Sequence, residues 1–183
     1  AMFKDCIMLS DVKIADTVTI VGNYAFQNCI VLEKITIPDS VTELGMGAFK
    51  GCVMLDNPVL SKYITSLNAE VFMDCIKLTT ISFSNVQSGK TSELVIPSFI
   101  SFIGKQAFYG CESIKNLTLG EGIITIGANA FKTCSSVVTL KILSNNISDC
   151  GEGIFEECYL NNVVFPAGMQ VIPDKLFSKA HFA

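Results

Sequence analysis

The apolar residues of this chain recur in a fixed order instead of forming long amphipathic runs. A Phe is followed three residues later by a Cys at Phe3/Cys6, Phe26/Cys29, Phe49/Cys52, Phe72/Cys75, Phe108/Cys111, Phe131/Cys134 and Phe155/Cys158, and an eighth copy opens at Phe177 without its Cys. The Phe spacings are 23, 23, 23, 36, 23, 24 and 22 residues. A period of this length marks a repeat architecture and outranks any window-by-window reading. Four residues before the Phe stands Gly22, Gly45, Gly104, Gly127 or Gly151, replaced by Asn68 and Pro173 in two copies, and read here as a position where the backbone turns. After each Cys comes Leu-x-x-Ile-x-Ile-Pro or a variant, as in residues 32–38 and 114–120. Its Ile-x-Ile portion alternates with period two and is rich in β-branched residues, which predicts a short strand closed by Pro or Gly.

One such coil cannot bury its own apolar side chains, but stacked coils align every Phe, Cys, Leu and Ile into interior rows. Strand ends at Ile14, Ile37, Leu60, Phe83, Leu119, Ile142 and Phe165 keep their register while the turns absorb single-residue indels, as expected of strands stacked in one sheet. The Gly-x-x-Ala-Phe-x-x-Cys segment is too short for a helix of its own and is expected to make a short helical turn on the far side. The 36-residue copy carries an insertion loop at 84–96 within the fourth full repeat, and either Ile81–Phe83 or Leu94–Ile96 could supply its sheet strand.

The unit Leu-x-x-Ile-x-Ile-Pro-x-Ser-Val-Thr-x-Leu-Gly-x-x-Ala-Phe-x-x-Cys at residues 32–52 closely resembles the BspA-like class of leucine-rich repeats. The resemblance runs from residue 2 to residue 182; its departures are Asn68 and Pro173 for Gly, Val71, Ile154 and Leu176 for Ala, and Pro58 moved to the start of its strand. It implies a leucine-rich repeat solenoid, mostly β: a right-handed curved coil of about eight ~23-residue repeats, with one parallel β-sheet on the concave face and short helical turns or irregular segments on the convex face. It also implies a surface-exposed or secreted protein of a bacterium or protist, often an adhesin for host proteins or other cells, with no catalytic residues to carry over. Residues 1–183 are expected to be a single domain, a fragment of a longer array whose bare ends associate end to end or need flanking sequence.

Composition narrows the partners. All thirteen basic residues are Lys, Trp is absent and the net charge is −4, so the basic, Arg-bearing stripe of a nucleic-acid binder is missing. No run of eighteen apolar residues predicts membrane insertion. Seven of the eight Cys share one repeat position, so their side chains point the same way. That geometry favours packed, reduced thiols over disulfides and disfavours a metal site. The single His, His181, has no nucleophile grouped with it in sequence, and the acids Asp39, Glu43, Glu70, Asp74, Glu112, Glu121, Glu152, Glu156 and Glu157 are scattered over turns, so neither catalysis nor a cofactor is expected. Sequons at Asn116 and Asn146 matter only in a secreting eukaryotic host.

What remains is the strand face. Its outward row is Lys13, Thr36, Val59, Ser82, Thr118, Lys141 and Val164, and two residues earlier lies the row Lys34, Asn57, Thr80, Asn116, Thr139 and Asn162. These thirteen residues are the candidate partner-binding surface, set against the plainer reading that they are ordinary solvated sheet positions. The expected partner is a protein, either host or extracellular matrix; the competing function is a passive spacer that carries another domain.

Overall fold

The computed structural model describes residues 2–85 and 93–182. The chain is a mostly-β parallel solenoid of about seven turns. The fourteen strands among the described residues, each two to four residues long, all pair in parallel with the equivalent segment of a neighbouring coil.

Two of the laddered sides follow from the sequence pattern, though only one was expected. The second carries β1 (Ile20–Val21), β2 (Glu43–Leu44), β4 (Ser66–Leu67), β7 (Phe102–Ile103), β9 (Thr125–Ile126) and β11 (Asp149–Cys150). The first, the Ile-x-Ile side, carries β3 (Val59–Leu60), β5 (Ser82–Phe83), β6 (Glu93–Ile96), β8 (Asn116–Leu119), β10 (Thr139–Ile142) and β13 (Asn162–Val164). A third, short pair joins β12 (Tyr159–Leu160) to β14 (His181–Phe182). The expectation of a single sheet is therefore corrected: the Val-Thr-x-Leu segment after the Pro turn also extends, because its inward residues Val41, Leu44, Ile64 and Leu67 must reach the same core from another side.

The short helical turn is corrected as well. Among the described residues the Gly-x-x-Ala-Phe-x-x-Cys segments contain no helix. Each is a pair of β-turns, closed by Ala25 N–H to the Gly22 carbonyl (3.2 Å) and Cys29 N–H to the Phe26 carbonyl (3.2 Å) in the first complete copy. The third residue of both turns has positive φ, Tyr24 at 56° and Asn28 at 59°, which is the type II arrangement. Equivalent residues include Gly47 and Gly51, Glu70 and Asp74, Gln106 and Gly110, and Asn129 and Thr133. Alternate N–H groups of this arc point to the next coil: Tyr24 to Met46, Phe26 to Ala48 and Asn28 to Lys50, each at 2.8 Å. The arc is thus laddered like the strands, and its backbone groups are satisfied without a helix.

Repeat glycines serve packing here, not a turn. A Cβ on Gly104 would come within 3.0 Å of the Ala69 amide nitrogen and the Asn68 carbonyl carbon of the preceding coil, whereas a Cβ on Gly22 meets nothing within 4 Å. The close approach lets Gly104 N–H reach the Leu67 carbonyl at 2.7 Å. At Asn68, which departs from the pattern, the side-chain Nδ2 donates to the corresponding carbonyl of Leu44 at 2.7 Å.

The core is a set of continuous rows. Phe3, Phe26, Phe49, Phe72, Phe108, Phe131, Phe155 and Phe177 stack face to face with centroids 5.0 to 5.9 Å apart. Beside them run the Cys row, the Ala48-Val71-Ala107-Ala130-Ile154-Leu176 row and the Leu and Ile rows of both strand sides, nearly all fully buried. Toward the two ends cover thins: Phe3 and Phe177 are half-buried, and Cys6 and Ile172 are exposed.

The two strands proposed as alternatives in the long copy both exist. β5 pairs back with β3 (Val59 opposite Ser82), and β6 pairs forward with β8 (Leu94 opposite Leu117). The polar middle of the insertion, residues 86–92, lies outside the described residues.

Candidate functional site

Strand register brings the candidate residues together in two segments. Thr36, Val59 and Ser82 lie side by side, as do Thr118, Lys141 and Val164; Asn116, Thr139 and Asn162 form the parallel row. Lys13 and Lys34 are exposed beside Thr36 and share with it a shallow depression that Asp11 and Asp16 also line. Asn57 is exposed, with φ of 43°, and its Oδ1 accepts from Ser82 Oγ at 2.7 Å.

Not all of this face is open. Thr80, Ser82 and Thr118, expected to point into solvent, are 8%, 9% and 6% exposed. Thr80 Oγ1 donates to the Glu93 carbonyl at 3.2 Å, and Thr118 Oγ1 donates to the Glu93 carboxylate. Hydroxyls satisfied within the protein are poor candidates for a partner. The accessible surface is therefore two patches, Lys13, Lys34, Thr36, Asn57 and Val59 on one side and Thr139, Lys141, Asn162 and Val164 on the other, with half-buried Asn116 adjoining the second.

Glu93 and Val95 belong to this face and were not among the candidates. Glu93 stands opposite Asn116 and Val95 opposite Thr118. Glu93 brings an acid into the second row, and its carboxylate lies 3.5 Å from Lys141 Nζ, two strands away. The signal was present, since Leu94-Val95-Ile96-Pro97 repeats the strand motif, but placing it in the insertion loop removed it from the rows.

The cysteines are free and mostly buried, and they do more than fill space. Each ladder thiol from Cys29 onward donates to the carbonyl of the Phe one coil back: Cys52 to Phe26 at 3.0 Å, Cys75 to Phe49, Cys111 to Phe72, Cys134 to Phe108 and Cys158 to Phe131, each at 3.1 Å. Burial, which disfavours the thiolate, pushes Cys52 and Cys158 up to about 12 and Cys29 to about 11, and raises Cys75, Cys111 and Cys134 well above the usual value. A nucleophilic cysteine requires the opposite shift. His181 stacks on Tyr159, ring centroids 5.4 Å apart, within the β12–β14 pair.

Raised thiol pKa values make stability pH-dependent. The unfolded chain releases these protons near the ordinary thiol value of 9.0 and the folded chain only toward about 11 to 12. Stability from this source is complete below pH 9 and is lost as pH rises through that window. A series of chemical denaturation curves should be flat from about pH 7 to 8 and move to lower denaturant as pH rises through 9 and above. In the same protein, thiol titration under denaturing conditions without reductant should count nearly all eight cysteines; four or fewer would establish an oxidised design.

A coil laddered on several sides, with parallel strands and an unbroken apolar interior, defines the leucine-rich repeat class of solenoids. The chain belongs to the family described as BspA type leucine rich repeat region (6 copies), whose model matches residues 1–92 and 83–182. Among solved structures it is similar to a leucine-rich repeat protein from Bacteroides ovatus, with a TM-score of 0.67 and 19% identity over 98% of this chain and 49% of that one. It is also similar to the leucine rich repeat protein of T. pallidum, with a TM-score of 0.57 and 26% identity over 76% of this chain and 70% of that one. The chain spans about half the length of the Bacteroides protein. No curated protein sequence matches it at a significant level.

Proposed function

We propose that the chain is a non-enzymatic protein-interaction scaffold, displayed at a cell surface or secreted, that binds a protein partner through the two open patches of its Ile-x-Ile side. In this reading that side is the concave face of a right-handed coil, and the turn arc is its convex back. The observation that carries it is the register: within each patch, polar and cationic side chains from separate repeats are held at strand spacing over a packed interior, which is how repeat proteins present extended binding surfaces. Family membership supports a scaffold, and the family resemblance supports an extracellular setting. Lys13, Lys34 and Lys141, set beside Asp11, Asp16 and Glu93, give the face a mixed-charge pattern that a partner of complementary charge arrangement would recognise.

Adhesion of cells and of matrix proteins to immobilised chain tests the proposal. Lys34→Glu combined with Lys141→Glu should weaken binding at least tenfold, about 1.4 kcal/mol, while Lys105→Glu, exposed near the arc, should leave it unchanged. Absence of binding by the parent chain, or equal effects of the two variants, would favour a passive spacer.

A further inference from the structure

Removing Ser84–Ile96 from the sequence leaves Ile81-Ser82-Phe83-Pro97-Ser98-Phe99-Ile100-Ser101-Phe102-Ile103-Gly104, which matches the inward apolar, Pro and Gly positions of Ile35-Thr36-Ile37-Pro38-Asp39-Ser40-Val41-Thr42-Glu43-Leu44-Gly45 and departs from its pattern only where Phe99 and Phe102 stand for Ser40 and Glu43. The insertion thus interrupts one otherwise regular repeat and supplies its strand a second time. In the fold the two copies divide the work: β5 ladders only with the coil before, β6 only with the coil after, and among the described residues no backbone ladder joins them. Among the described residues two contacts tie the copies directly: Thr80 Oγ1 donates to the Glu93 carbonyl, and the Phe83 and Phe99 rings meet edge to face with centroids 5.1 Å apart.

Every other side of the coil passes through this point unbroken. β4 pairs with β7 (Leu67 opposite Ile103), Phe72 N–H reaches the Ala107 carbonyl at 2.8 Å, and Cys111 Sγ reaches the Phe72 carbonyl at 3.1 Å. The Ile-x-Ile side therefore gains one strand that the other sides lack. Phe72 and Phe108 are inclined by 25°, against 8° and 3° for the pairs on either side; the only comparable tilt among the stacked Phe pairs of the described residues is 23° at the terminal Phe155–Phe177 pair. The two family matches also meet here, ending at residue 92 and beginning at residue 83.

We infer that the seam between β5 and β6 is a one-sided joint: residues 2–83 and 93–182 form two half-arrays hinged along the β4–β7 ladder and the Phe arc, and able to open between β5 and β6. Opening changes the angle between the two exposed patches of the strand face, one of which lies on each half. A continuous ladder would hold that angle fixed; here the Thr80–Glu93 hydrogen bond and the Phe83–Phe99 ring contact take its place among the described residues.

Spin-label distances separate this arrangement from an unbroken array. In a Cys6→Ser, Cys150→Ser background, labels at Thr36 and Lys141 report the strand face, and labels at Thr19 and Ser148 report the β4–β7 side. Both pairs are about five strand spacings apart, roughly 24 Å, when β5 and β6 are counted as separate layers. Deleting Ser84–Ile96 should shorten the Thr36–Lys141 distance by about one spacing, near 5 Å, and leave Thr19–Ser148 unchanged. In the intact chain the Thr36–Lys141 distribution should be the broader of the two, and Thr80→Val should broaden it further. Hydrogen exchange on the intact chain provides a reading that does not need the deletion to fold: amides of β5 and β6 should exchange at least tenfold faster than those of β10. No shortening on deletion in a folded chain, or exchange in β5 and β6 as slow as in β10, would overturn the joint.

Discussion

Phe108→Ala should lower stability by about 4 kcal/mol, a loss shared in size only with the other doubly stacked, fully buried rings of the row. Phe108 is fully buried and stacks on two rings at once, Phe72 at 5.5 Å and Phe131 at 5.0 Å. Its removal deletes the apolar contacts of a large side chain, leaves a cavity that coils laddered on both sides cannot collapse into, and ends two ring contacts worth about 0.5 to 1.5 kcal/mol each. Phe3→Ala, at a half-buried ring with one stacked neighbour, should cost less than half as much. Urea denaturation of the three chains checks the ordering, and equal losses would mean that the stack does not carry the core. Because coil stability is shared between nearest neighbours, Phe108→Ala should also split the transition into two steps.

Gly104→Ala should cost about 3 kcal/mol, and Gly22→Ala should cost almost nothing, although the same residue type occupies the same repeat position. The Cβ at residue 104 would strike the backbone of Asn68 and Ala69, which two ladders and the 2.7 Å bond to Leu67 hold in place, so relief requires shifting a whole coil. Residue 22 has open space around it. Neither glycine has positive φ, so chain-entropy differences between them are small, and the contrast isolates the collision. A thermal shift of similar size in both variants would show that the glycine is a turn requirement after all.

That glycine illustrates what the sequence made legible. Its periodicity was visible, but its cause lies in the neighbouring coil, and one repeat read alone suggests a turn. The strand motif, the Phe and Cys rows and the registers at Ile37, Leu60 and Leu119 could be read directly, because alternation and fixed spacing have one structural solution when units stack. The turn arc could not: Ala-Phe-x-x-Cys has helical spacing, and the contrary signal was spread over two positions. Asp5, Asn28, Gly51, Asp74 and Gly110 all stand two residues after Phe and all belong to types that tolerate positive φ, yet Thr133, Glu157 and Lys179 at the same position obscure the preference.

The candidate surface divides in the same way. Rows such as Thr36–Val59 and Asn116–Thr139–Asn162 follow from register. The burial of Thr80, Ser82 and Thr118 does not, since it depends on Glu93 and Asn57 contacts that no repeat average contains. Likewise the Cys position reads as a small apolar residue until the Phe carbonyl one coil back is located, and only then does the thiol proton acquire a role.

The display of surface residues depends throughout on coils that are hydrogen-bonded to one another along the arc as well as along the strands. Couplings transmitted across hydrogen bonds, measured by NMR in isotope-labelled protein, test this bond by bond. The Phe49 amide should couple to the Val71 carbonyl, Phe72 to Ala107 and Phe108 to Ala130, partners that lie 2.8 or 2.9 Å away in the next coil. Couplings from these amides to carbonyls four residues earlier in their own coil would instead show a helical arc and contradict the architecture.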